Sequence, residues 1–121
     1  MSAGSVLVVD DDPDIRQFVE TVLVDEGIEA VVVPDGGEAL RRLGHRPFDL
    51  LLTDVRMPGM DGFELVRRAR ESYPDLRVLF MSGYSREYRI DPHRDDFVAK
   101  PFRPRELLGC VYELLRRGRG P

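Results

Sequence analysis

Only one of the 121 residues is a cysteine, Cys110, so no disulfide can form within the chain. On a helical stretch, that lone thiol reads as a small packing residue rather than a redox site. There are two histidines, His45 and His93, set in polar, proline-flanked stretches that read as loops. Neither has the cysteine or carboxylate companions of a metal site. No apolar run approaches the roughly 20 residues that span a bilayer. The N-terminus lacks the basic and apolar blocks of a secretory signal, which leads us to expect a cytoplasmic protein. Excess positive charge is also missing: 18 basic against 22 acidic residues leave a net charge of −4. A general nucleic-acid or membrane binder would need a basic face, so neither class of partner is expected. Lysine is nearly absent, since 17 of the 18 basic residues are arginine and the exception is Lys100. The arginine-rich tail from Arg116 suits a helix C-terminus better than a binding arm. Linkers, repeats and low-complexity tracts are missing too. We therefore expect one domain over residues 1–121 with an ordered core over about 5–117.

What is present alternates. Val6 to Val9 is a β-branched run ending in acid. Pro13 to Glu26 carries Ile15, Phe18, Val19, Val22 and Leu23 at helical spacing, with Asp12 as N-cap and proline at the first helical position. Strands are predicted over Ile28–Val33, Phe48–Thr53, Arg77–Met81 and Phe97–Ala99. Helices are predicted over Asp35–Leu43, Gly62–Ser72 and Pro104–Arg117, with Asp35/Glu38 and Asp61/Glu64 at capping-box spacing. Strands that are apolar throughout belong to a parallel sheet covered on both faces. The expected fold is α/β, a flavodoxin-like doubly wound five-stranded parallel sheet of order 2-1-3-4-5. Tyr84 to Asp96 has little apolar periodicity, which predicts a short or irregular fourth helix.

In such sheets ligands bind beyond the carboxyl ends of the strands, where strand order reverses. The reversal falls between the first and third strands, which end at Asp10 and Asp11 and at Asp54. Helix capping and turn chemistry account for Asp12 and Asp61 but not for three carboxylates converging on one crevice. Their repulsion calls for a divalent cation, and hard oxygen ligands favour magnesium. The fourth and fifth strands bring a hydroxyl, Ser82, and a cation, Lys100, to the same crevice. Lysine is a compact point charge suited to phosphate. Together these groups form a phosphoryl-transfer constellation with Asp54 as nucleophile.

The blocks VLVVDDDPD, LLLTDVRMPGMDG, VLFMSGY and FVAKPF, in that order over nearly the whole chain, resemble the receiver domain of two-component response regulators. The resemblance implies that Asp54 is the phospho-acceptor, that Asp10 and Asp11 are the acidic pair, and that Arg56 lends its backbone carbonyl to the magnesium. It makes Ser82 the switch hydroxyl, Lys100 the phosphate-binding lysine, and Phe97 the aromatic switch residue where the family often has tyrosine. The Lys100–Pro101 bond matches one that is cis in the family. A histidine kinase or phosphotransfer protein would be the donor and an unknown protein the downstream target, with room for a weak homodimer. The chain would be a signalling module that promotes its own phosphorylation and dephosphorylation, not an enzyme acting on a separate substrate. The VLFMSGY block resembles receivers of hybrid sensor histidine kinases, so a domain excised from one is an alternative to a stand-alone regulator.

Other classes fit less well. A magnesium-dependent phosphatase with an aspartyl nucleophile needs a second acid two residues on, then threonine. Asp54 is instead followed by Val55-Arg56-Met57. A phosphorylation-independent pseudo-receiver would normally have lost an acid or the lysine. Three departures from the family pattern stand out. Only 17 residues separate Ser82 from Lys100, fewer than the family has; Asp95-Asp96 replaces a pair of small residues; and Arg103 takes a cap position better suited to a hydroxyl or acid. The first two lie on the family's usual signalling surface and leave the phosphorylation chemistry untouched. In receivers the side chains two after the acceptor and two after the switch hydroxyl overhang the approach of water. Here they are Arg56 and Tyr84, both large, which predicts a long-lived phosphoryl group.

Overall fold

A computed structural model describes residues 4–83 and 94–118. Within them the chain runs β1 (Ser5–Val9), α1 (Pro13–Asp25), β2 (Glu29–Val33), α2 (Gly36–His45), β3 (Leu50–Asp54), α3 (Gly62–Ser72), β4 (Val78–Ser82), β5 (Asp95–Ala99) and α4 (Pro104–Gly118). The five strands form one sheet of order β2-β1-β3-β4-β5, with every neighbouring pair parallel. Among the described residues no helix is long and apolar enough to cross a membrane. The expected fourth helix falls largely on residues 84–93 and so lies outside the described residues, as do Tyr84 and His93.

The continuous apolar strands have a two-sided explanation. Leu7, Val9, Leu51, Val78 and Phe80 join Ala39 and Leu43 of α2 and Leu65, Val66 and Ala69 of α3 on one face of the sheet. Their alternating neighbours Val6, Val8, Leu50, Leu52, Leu79 and Met81 join Val19 and Leu23 of α1 and Leu107, Val111 and Leu114 of α4 on the other. Side chains alternate across a strand, so a sheet with two covered faces needs apolar residues at every position.

Local chemistry sets the ends of the elements. Asp12 caps α1 by accepting from the Asp14 N–H, with Pro13 in the first turn. Asp35 and Asp61 cap α2 and α3 by accepting from the N–H groups of Glu38 and Glu64. Gly27, at φ +76°, ends α1 in the left-handed region, where a side chain would be strained. At α4 the sequence offers no acceptor in the capping position, and the other half of the capping box serves instead. The Glu106 carboxylate accepts from the Arg103 N–H at 2.9 Å.

Two sequence expectations are corrected. His45 does not lie in a loop but closes α2, with its Nδ1 3.0 Å from the Arg41 carbonyl. β5 begins at Asp95, two residues before the predicted start at Phe97, because Asp95 and Asp96 pair in register with Val78 and Leu79. Asp95 is buried there beside the Arg70 guanidinium of α3, which also donates to the Leu76 carbonyl at 2.8 Å. A carboxylate within a strand is tolerable once a cation and its hydrogen bonds surround it.

Candidate functional site

Strand order places the carboxyl ends of β1 and β3 side by side. Asp10 follows the last residue of β1, and Asp54 is the last residue of β3. Asp10, Asp11 and Asp54 each offer a carboxylate oxygen, and these oxygens lie within 4.8 Å of one another. Among the described residues no other group of three acid, histidine or cysteine side chains comes together in this way. Asp10 is fully buried, Asp54 is nearly so, and Asp11 faces solvent.

Each acid is held differently. The Asp10 carboxylate accepts from the Asp12 N–H at 2.9 Å through Oδ1 and from Lys100 Nζ at 2.9 Å through Oδ2. The Asp54 Oδ1 accepts from the Val55 N–H at 2.9 Å, while Oδ2 lies 3.4 Å from Lys100 Nζ. Thr53 holds the Asp54 backbone through a 2.9 Å bond from its hydroxyl to the Asp54 carbonyl. Lys100, the sole lysine of the chain, therefore sits between the two buried carboxylates.

Burial pushes the Asp54 carboxyl above the usual carboxylate range, and the neighbouring Asp10 charge pushes it further. Lys100 and the Val55 N–H oppose both effects. For Lys100, burial acts downward, but the hydrogen bond to Asp10 and the charges of Asp10 and Asp54 outweigh it, and the ammonium is held above its ordinary value. One ammonium cannot neutralise three carboxylates. The remaining negative charge, the oxygen-only donor set and the solvent-facing Asp11 suit a hard divalent cation that keeps some of its own waters, which fits magnesium.

The other predicted site residues take these places. Ser82 is buried at the end of β4, directly after Met81, the register partner of Asp54, and its carbonyl accepts from the Lys100 N–H at 2.9 Å. Phe97 is half-buried on β5, in register with Phe80, and packs against the α2–α3 side of the core. Arg56 is exposed in the loop after β3. Lys100–Pro101 is a cis peptide. Tyr84, paired with Arg56 in the reading of phosphoryl lifetime, lies outside the described residues.

Two contacts at this end of the sheet were not anticipated. Arg16 of α1 donates from Nη1 to the Asp10 carbonyl at 2.7 Å. Gly62, at the start of α3, packs on the Asp54 backbone so tightly that a Cβ would lie 2.3 Å from the Asp54 carbonyl oxygen. The only sequence signal for the first was an arginine one and a half turns past the acidic pair. The second had none beyond a glycine following a cap.

A cavity of about 550 Å³ lies elsewhere, at the opposite end of the strands, between Phe48, Tyr73, Leu76 and Leu115. Its lining includes Asp49, Asp75 and Arg77, but among the described residues no three acid, histidine or cysteine side chains converge there as they do at the acid corner.

Comparison with known proteins agrees with this fold. The family model for the response regulator receiver domain matches residues 6–112. The chain is 37% identical over 115 residues to the response regulator receiver protein CpdR of Brucella abortus, covering 91% of this chain and 95% of that protein. Among solved structures it is similar to the chemotaxis protein CheY4 of Vibrio cholerae, with a TM-score of 0.81 and 32% identity over 92% of this chain and 98% of that one. It is equally similar to the receiver domain of the hybrid histidine kinase CckA, at TM-score 0.81 and 32% identity, covering 93% and 99%.

Proposed function

The chain belongs to the response regulator receiver domain family, and from that premise we propose that it accepts a phosphoryl group on Asp54 from a histidine kinase or phosphotransfer protein and thereby changes its affinity for a protein target. The observation that carries this reading is the Asp54 carboxylate itself. It is nearly buried at the reversal of strand order, pinned by the Val55 N–H, and faced by the Lys100 ammonium and two further acids.

Transfer breaks the donor's P–N bond and forms a P–O bond to an Asp54 carboxylate oxygen, with the histidine ring leaving. Attack needs the ionised carboxylate. Burial and Asp10 work against that form, and Lys100 and the Val55 N–H oppose them. The lysine that spans Asp10 and Asp54 is also the compact cation suited to an incoming phosphate oxygen. Asp10, Asp11 and Asp54, with the Arg56 carbonyl, would hold magnesium, whose charge offsets that of the transferring phosphoryl oxygens. Ser82 and Phe97 are assigned the switch. The Ser82 hydroxyl binds the new phosphate, and the half-buried ring of Phe97 follows it, without the hydrogen bond a tyrosine could make. On this reading the chain is a signalling module of one domain rather than an enzyme with a separate substrate. The likeness to the CckA receiver supports a second reading, a receiver that works within a hybrid histidine kinase.

The test is intact-mass spectrometry after incubation with a small phosphodonor and magnesium. The wild type is expected to gain one phosphoryl group and Asp54→Ala none. Equal labelling of the two proteins would move the nucleophile elsewhere. Lys100→Arg is expected to impair uptake although it keeps the charge, because the planar guanidinium is wider and more weakly hydrated.

A further inference from the structure

We infer that Arg16 is a positioning residue for the cation site, acting on Asp11 through the peptide that joins it to Asp10. Every polar group of Asp10 is held. Its N–H donates to the Val33 carbonyl at 3.3 Å, its carboxylate accepts from the Asp12 N–H and from Lys100, and its carbonyl accepts from Arg16 Nη1 at 2.7 Å. The first three fix Asp10. The fourth is different in kind, because that carbonyl belongs to the peptide plane linking Asp10 to Asp11, and the plane sets the direction in which the Asp11 side chain leaves the backbone.

Asp11 depends on that plane. It faces solvent, and its carboxylate accepts no hydrogen bond among the described residues. It nevertheless lies with Asp10 and Asp54 inside the 4.8 Å cluster. Asp10 and Asp54 are placed by their own side-chain partners, whereas Asp11 is placed by backbone alone. Arg16 can act as the clamp because its own base is firm. Its N–H closes the first turn of α1 onto the Asp12 carbonyl at 3.1 Å, and Val19 and Leu23 anchor the helix in the core. A guanidinium donating to a carbonyl is also a charge-assisted hydrogen bond, stronger than a neutral one.

Charge alone makes the opposite prediction. Arg16 is a cation that reaches the backbone of a site holding three carboxylates, so its removal should strengthen binding of a divalent cation if electrostatics dominates. If Arg16 positions Asp11, its removal should weaken binding. The sign of the change separates the two.

The inference rests on the magnesium reading of the acid corner, and the experiment separates the two. Magnesium binding is measured by titration calorimetry on the intact chain, well below the melting temperature of each variant. Arg16→Met, which keeps the stem but loses donor and charge, is expected to raise the magnesium Kd at least threefold. Arg16→Lys, which keeps the charge on a shorter reach, is expected to fall between it and the wild type, and it carries the test if the methionine variant fails to fold. An Arg16→Met Kd equal to or below that of the wild type overturns the positioning role alone, as does a lysine variant no weaker than wild type where methionine does not fold. A wild type that binds no magnesium overturns the reading of the site, and this inference with it.

Discussion

Replacing Gly62 by alanine would put a methyl group 2.3 Å from the Asp54 carbonyl oxygen, 3.0 Å from the Val55 Cα and 3.2 Å from the Asp54 carbonyl carbon. All three are backbone atoms, so no side chain can rotate to make room. Restoring ordinary contact, at 3.4 Å or more, requires the start of α3 and the end of β3 to separate by about 1 Å. The same shift pulls on the 2.8 Å bond from the Gly62 N–H to the Val55 carbonyl. Overpacking of this kind costs about 1–3 kcal/mol, and loss of one buried hydrogen bond adds about 1 kcal/mol. At about 2.1 cal/mol/K of unfolding entropy per residue, 121 residues lose about 4 °C of Tm per kcal/mol. Gly62→Ala is therefore expected to melt about 8–16 °C below the wild type by differential scanning calorimetry. The displaced atoms belong to Asp54, so phosphoryl uptake should fall as well, measured at a temperature where both proteins are folded. Gly109 supplies the control. It lies on the exposed side of α4 with nothing within 4 Å of its would-be Cβ. Gly109→Ala should stabilise by about 0.5–1 kcal/mol through backbone entropy alone. A Gly62→Ala midpoint within about 2 °C of the wild type would refute the close-approach argument.

Magnesium at a hundredfold excess over its Kd should stabilise the native state by about 2.7 kcal/mol, a rise of about 10 °C in Tm. Asp11→Asn should remove most of that rise, and an unchanged wild-type midpoint would count against a cation at Asp10, Asp11 and Asp54. Asp95→Ala leaves the Arg70 guanidinium, which is only 13% exposed, with the Leu76 carbonyl but without its carboxylate, and should cost about 3 kcal/mol in urea unfolding; a loss below about 1 kcal/mol would show the pair to be dispensable. Burial pushes the Cys110 thiol up, and the Asp96 and Glu106 charges push it the same way, so little of the reactive thiolate is present at pH 8. Native-state alkylation by iodoacetamide should be slower than in the unfolded chain and should keep accelerating above the ordinary thiol range. Equal native and unfolded rates would contradict the burial.

The parts of this protein legible in the sequence are those whose causes are local. Strand runs such as Val6–Val9, the Asp12-Pro13 helix start and the Asp35/Glu38 and Asp61/Glu64 caps are decided by neighbours a few residues away, and the structure carries all of them. Right-handed crossovers leave few strand orders, and the observed order is the one that a five-stranded doubly wound sheet of this size suggests, with the meeting of Asp10, Asp11 and Asp54 that it entails. The start of β5 was missed because two aspartates read as a break in an apolar pattern. What made the buried one, Asp95, acceptable was Arg70, 25 residues earlier in the chain, while the half-buried Asp96 accepts from the Phe97 N–H. Lys100 could be assigned to the crevice by motif, but not its position between Asp10 and Asp54, one of them 90 residues distant. The grip of Arg16 on the Asp10 carbonyl and the closeness of Gly62 to Asp54 depend on how helices seat against strand ends. Periodicity and capping record which face a residue presents and where an element stops. Which charge neutralises which, and which backbone must give way to another, is settled only when distant segments are packed to contact, since both forces act over a few ångströms of space and not along the chain.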